Sequence, residues 1–403
     1  MTADLRLAPA ATALATPATP ASGAAAMTAA ARTEAAAPAA DADRTAFEIG
    51  WDYAHYRLVP PADHLHPGHP VRQGWEAGQV VFGTRTLLPR PAVRKWLQLR
   101  LNAWMRGKAF DTLAVTPHLL RVIDVPRCPI TGEVLTQGTG GPSDASVDRV
   151  NNEAGYAAGN LAVMSVRANR AKSAYDWRDA AAFARQVEAG QLGTIDGLTA
   201  EHWARLASLM SLCTPLTHAE AACLPLLVLP PVRLRVLNPV QALQVVITMR
   251  FCQPGQMPRV DPLVALVPAD VRAALHSLLT TLLARRIAAG SGADAAALRA
   301  AMEAAWAQPL VLRRWQRVAL RLNPVQCERI VAVAVRRRLA GPALRGVGLA
   351  EATEGWALET GGGVEPPQGA AGPKAPQRFA PRAARNTAVV RPTMGAVQAS
   401  LGF

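Results

Sequence analysis

The chain has 403 residues, enough for two or three domains, and half of them are hydrophobic, so a sizeable core can form. Lys and Arg total 43 against 29 Asp and Glu, a formal charge of +14 that favours a polyanionic partner such as nucleic acid, although an Arg- and Ala-rich codon bias accounts for part of it. No apolar run reaches the roughly 18 residues needed to span a bilayer; the best candidate, 224–232, is short and broken by Pro225, Pro230 and Pro231. Five scattered cysteines (Cys128, Cys213, Cys223, Cys252, Cys327) show no C-x-x-C spacing, so no structural zinc is expected, and their sparse, odd count fits a reducing cytoplasm.

Residues 1–45 are Ala, Thr and Pro with few large apolar side chains, and are expected to stay disordered because they bury too little to offset the entropy of ordering. Asp4, the prolines and the small residues argue against a signal peptide. Order is expected from near Phe47, where Trp51, Tyr53 and Tyr56 follow closely. His64, His66 and His69 sit close together, but Pro67 and Gly68 make the segment a loop, and no carboxylate or cysteine is regularly spaced with them. The stretch 91–107 reads as a helix: Pro91 suits its first position, and Trp96, Leu97, Leu101, Trp104 and Met105 recur near the 3.6 period. Arg94, Lys95, Arg100, Arg106 and Lys108 form its expected basic face, open to solvent or to phosphate.

The next segment carries the chemistry. Ser146–Val150 alternates and is β-prone, Asn151, Asn152, Glu153 and Gly155 form turns, Leu161–Ser165 is a second strand, and a helix is expected from Val166, continued by 177–189 to a stop at Gly190. Strand, turn, strand, helix places Asp148 on the first strand and Asn169 about a turn into the helix. A carboxylate and an amide oxygen are hard ligands suited to Mg²⁺ or Mn²⁺. Lys172 follows Asn169 by three residues on the same helical face, and Arg149, Arg167 and Arg170 surround the site with positive charge. A metal beside cations is what phosphodiester hydrolysis requires.

This ordered set, from Cys128-Pro-Ile-Thr-Gly132 through Ser146-Val-Asp148-Arg149, Gly155-Tyr156 and Gly159-Asn160 to Asn169-Arg-Ala-Lys172-Ser173, resembles the HNH (ββα-metal) nucleases over about 50 residues. The resemblance implies a metal held by Asp148 and Asn169, a structural Asn160 pinning the loop, and Arg149, Asn160 and Lys172 in the catalytic neighbourhood. It implies phosphate contacts from Arg149, Arg167, Arg170 and Lys172, with DNA the expected substrate. Two departures stand out. The family's zinc-binding Cys pair is missing, and Arg149 occupies the place of the water-activating His. Arginine stays protonated at neutral pH and cannot act as a general base, a loss typically worth about 10²–10⁴ in rate. Three outcomes follow: another group takes the proton (His118 and Asp144 are nearest in sequence), metal-bound water suffices, or the unit binds nucleic acid without cleaving it.

Residues 192–345 read as largely helical. Asn238-Pro-Val-Gln241 and Asn323-Pro-Val-Gln326 repeat one helix-start grammar, cap, Pro at the first turn and Gln at the third position, as a duplication or as two uses of a good cap. Helices are expected over 269–288 and 294–307. The resulting expectation is an α+β chain: a disordered leader (1–45), an α+β domain (46–190) holding a small ββα-metal module (120–178), a helical docking or recognition domain open to nucleic acid or a protein partner (191–350), and a disordered basic tail (351–403).

Overall fold

The computed structural model describes residues 3–7, 27–190, 192–255, 257–341 and 344–358, the backbone alone at 3–7, 27–40 and 349. The architecture is α+β and mostly helical. In chain order the first elements are β1 (Ala3–Leu7), α1 (Met27–His55), α2 (Pro70–Phe82), α3 (Pro91–Met105), α4 (Pro117–Val122), β2 (Ala145–Arg149), β3 (Leu161–Ser165), α5 (Val166–Lys172) and α6 (Trp177–Glu188). The remainder is α7 (Ala200–Leu212), α8 (His218–Cys223), β4 (Arg235–Val236), α9 (Pro239–Phe251), α10 (Asp261–Val264), α11 (Ala269–Ala288), α12 (Ala295–Trp306), α13 (Pro309–Ala319), α14 (Pro324–Arg336), β5 (Leu344–Gly348) and α15 (Leu349–Thr353). Among the described residues, no helix is long and apolar enough to cross a membrane.

Described backbone elements fall within the Ala/Pro-rich leader. β1 lies between β4 and β5, parallel to both, so a segment too poor in side chains to form a core is held by backbone hydrogen bonds to strands more than 200 residues away. Helix α1 starts at Met27, and among its described side chains Ala42, Ala46 and Ile49 are buried. Residues 8–26 and most of the expected tail lie outside the described residues. The part of that tail within them, 351–358, closes α15 and buries Trp356, whose indole donates to Ala158 O at 3.0 Å.

Helices α1 and α2 meet at glycines. A Cβ on Gly50 would lie 1.8 Å from Val71 O, and one on Gly74 would lie 1.9 Å from Phe47 O, so only glycine allows the approach. His69 caps α2, its Nδ1 accepting from Val71 N at 3.2 Å. Its proton therefore resides on Nε2, which lies 3.4 Å from His64 Nδ1. The histidine loop thus closes on itself as a capping relay. Helix α3 buries Trp96, Leu97 and Leu101 as expected, but Arg100 is not on a solvent face. It is buried, paired with Asp52 and 4.8 Å over the Trp96 ring, because the flanking apolar positions draw it into the α1 interface.

Two apolar cores flank the hairpin. One gathers Ile49, Val71, Trp96 and Leu97 from α1–α3 and includes Val147, Leu161 and Val163 from the strands. The other runs from Cys128 to Trp356 and takes Ala162, Met164, Ala168 and Ala171 together with α6, α7, α9 and α14. The period of two along β3 thus sends alternate side chains into different cores, and all five of its residues are buried. Residues from both sides of the boundary expected at 190 share the second core.

The two Asn-Pro-Val-Gln segments differ in mechanism. At α14, Asn323 and Gln326 form a reciprocal capping box on the surface. At α9 the Asn238 side chain makes no cap bond; it is buried, accepts from Leu216 N at 2.9 Å, and donates to Ser211 O, Thr214 O and Gln241 Oε1. Asn323→Ala should therefore cost about 1 kcal/mol, the usual worth of a cap. Asn238→Ala strands several buried groups and should cost about 2–4 kcal/mol. Urea denaturation midpoints of the two variants check the difference; equal losses would mean the buried network contributes no more than the surface cap.

Candidate functional site

The site is a hairpin with a helix laid across it. Strands β2 and β3 pair antiparallel with Asp148 opposite Ala162 and Ser146 opposite Met164. Helix α5 follows β3 without a loop: Ser165 ends the strand and caps the helix, its Oγ accepting from Ala168 N at 3.3 Å. At the other end Ser173, with φ +46°, closes the turn by donating its N–H to Asn169 O. Ser146 and Asp148 lie two apart on β2 and so point to one face. Asn169 and Lys172 lie three apart on α5 and so share one side of the helix. The faces meet pairwise: Asn169 Nδ2 donates to Ser146 Oγ at 2.7 Å, and the Lys172 ammonium lies 2.9 Å from Asp148 Oδ2.

Lys172 is fully buried, at 1% exposure, and donates also to Arg149 O at 2.9 Å and Asn152 Oδ1 at 2.6 Å. Burial pulls its pKa below the usual lysine value, while the Asp148 carboxylate pushes back. Asp148 Oδ2 is itself buried, and the ammonium beside it is not aligned as a hydrogen bond. Its compensation comes from the Lys172 ammonium at 2.9 Å.

Asn160 ties down the loop between the strands. It is wholly buried; its Oδ1 accepts from Asn151 N at 2.8 Å and its Nδ2 donates to Asn151 O and Gly155 O at 3.0 and 2.9 Å. Gly159 before it has φ +89°, and a Cβ there would lie 2.0 Å from Arg235 Cγ, which explains the Gly-Asn pair.

The cations divide. Arg149 is buried; Nη1 donates to Asn152 O and Ala154 O at 3.0 and 2.9 Å, and the guanidinium lies 5.0 Å over Tyr156. Its place on β2, one residue after Asp148, turns it to the opposite face, where it braces the inter-strand loop. Lys172 likewise lacks the exposure that its expected phosphate contact needs. Arg167 is partly exposed and paired with Glu133 at 3.0 Å, and Arg170 is exposed; these two retain access to a ligand.

Neither candidate base is convincing. Asp144 accepts from Thr136 Oγ1, Thr139 Oγ1 and Gly140 N at 2.6–2.8 Å, and these hydrogen bonds hold its pKa down at about 2, so it scarcely takes a proton at neutral pH. His118 is exposed on α4 beside Arg121, and no hydrogen bond among the described residues joins it to Asp148. Cys128 is buried, its sulfur accepting from Ser165 N at 3.3 Å, which ties the start of the motif to the hairpin's end.

Sequence reasoning missed Ser146, Glu133 and Asn152. Glu133 accepts from Ser143 Oγ at 2.7 Å, Thr131 Oγ1 at 2.9 Å and Arg167, contacts across 34 residues or fewer that no spacing rule announces. Ser146 could have been found by the period-two link to Asp148. Among the described residues no cluster of three or more His, Cys, Asp or Glu is arranged to hold a metal. Comparison with protein-family models, curated proteins and solved structures finds no match.

Lys172→Met should lower stability by about 3 kcal/mol, because it leaves a buried carboxylate without its cation. Adding Asp148→Asn should restore at least half of the loss in urea denaturation; no recovery would show that the ammonium acts only through its carbonyl and amide contacts. The depressed pKa of Asp144 gives a second expectation. Its contribution to stability is present in full above the ordinary carboxyl value of 3.8 and is lost as pH falls through about 2. The gap in denaturation midpoint between the native chain and Asp144→Asn should therefore narrow on going from about pH 5 to about pH 3.

Proposed function

We propose that the hairpin–helix unit is an HNH-like metal-dependent endonuclease site acting on DNA. The observation that supports this reading is the docking of α5 on β2, Asn169 on Ser146 and Lys172 on the buried Asp148 oxygen, which puts Asp148 and Asn169 at one strand–helix junction. The residues fit a hard divalent ion: Asp148 and the Asn169 amide oxygen would hold Mg²⁺ or Mn²⁺. Such an ion would supply charge stabilisation to the phosphate and acidify a bound water. The chain's own residues do the rest. Asn160 and Arg149 fix the loop between the strands, Lys172 holds α5 against β2, and Arg167 and Arg170 attract the phosphodiester backbone.

One observation favours a second reading, a catalytically silent HNH-like protein that binds nucleic acid. The Lys172 ammonium already neutralises Asp148, and Arg149 stands where a base is needed. A buried lysine doing the work of the metal leaves a folded unit without a catalyst.

Purified protein incubated with supercoiled plasmid and Mg²⁺ or Mn²⁺ decides between them. Nicking is expected, falling about 10²-fold or more in Asp148→Asn and in Asn169→Ala; both changes spare the ammonium's surroundings more than Asp148→Ala does. Absence of nicking with either metal, together with no Mn²⁺ uptake in a spectroscopic titration, would replace the nuclease by the silent binding protein.

A further inference from the structure

From α13 through α14, residues 309–338 hold eight arginines and a single carboxylate, Glu328. Helix α13 is anchored on one side only: Val311, Trp315, Val318 and Ala319 are buried, and Arg314 is tied to α11 through Ser277 O at 3.2 Å and the Thr281 hydroxyl. That anchoring turns Arg313, Arg317 and Arg321, spaced four apart, to the outside, where all three are exposed around a shallow depression shared with Gln316 and Leu320. Among the described residues none of the three is paired with a carboxylate. Arg321 meets Asp270 only through that residue's backbone carbonyl, at 3.4 Å. The negative end of the α13 dipole accounts for one such charge, not three.

We propose that this stripe is a nucleic-acid-binding surface of the helical region, separate from the hairpin–helix site. Four residues of α-helix advance about 6 Å. One strand of duplex DNA presents a phosphate about every 3.4 Å along its axis, so Arg313 and Arg317 match about every second phosphate, and Arg321 follows in the turn just past the helix. Guanidinium groups pair with phosphate oxygens in bidentate fashion, and the half-buried Gln316 at the same depression adds a neutral hydrogen-bonding group. The stripe rests on nucleic acid being the partner, but not on cleavage.

The test is binding of a fluorescent duplex of about 30 base pairs by the full chain between 50 and 200 mM salt. The native protein is compared with Arg313→Gln/Arg317→Gln/Arg321→Gln and with a control of equal charge loss elsewhere, Arg44→Gln/Arg178→Gln/Arg345→Gln. The stripe variant should keep the native melting temperature and lose about 2–3 units of the log–log salt slope, while the control loses less than about one. Cutting and binding separate cleanly: salt-dependent duplex binding by a native protein that nicks no plasmid would keep this proposal and remove only the cleavage reading. The proposal fails if the stripe variant matches the native slope, if the control falls equally, or if the native protein binds anionic lipid vesicles and not duplex.

Discussion

A buried ammonium group holds the centre of this molecule together. Lys172 has left water completely, which is tolerable only because a carboxylate, a backbone carbonyl and a side-chain amide surround it. Those three partners come from β2 and from the loop between the strands. One side chain therefore joins the helix, the first strand and the turn, and the geometry of Asp148 and Asn169 is inseparable from it.

That joint has a consequence for chemistry. The ammonium that stabilises the fold occupies Asp148, so under the proposed metal-dependent reading a divalent ion would have to compete with Lys172 for that carboxylate. Arg149 shows the same economy. Its guanidinium closes the inter-strand loop by binding two carbonyls and stacking over Tyr156, a job that a histidine in that position could not do with one ring. The Asp-Arg pair is thus a structural device in its own right, whatever the reaction.

The hairpin also sits between two cores, and this makes the site rigid. Val147, Leu161 and Val163 pack towards the N-terminal helices, while Ala162 and Met164 pack towards the long helical region. Strand β3, buried on both faces, backs the site-bearing β2 and leaves it little room to shift. The basic stripe on α13 belongs to the far end of the second core, held outward by Trp315 and Val318 beneath it. Two positively charged regions are consequently carried by one continuous packed interior.

What the residues alone determined was local. Alternation placed Asp148 on a strand, Pro91 and the 3.6 repeat placed α3, and Gly159-Asn160 marked the loop, because each of these signals lies within a few positions along the chain. What tertiary structure alone decided was environment. Nothing in their spelling separates Asn238, buried in a polar network, from Asn323, a surface cap, or Arg170 in solvent from Lys172 in the core. Burial depends on which distant segments arrive, as when β1 pairs with β5 across more than 300 residues, and a charge changes its role once water is removed from around it.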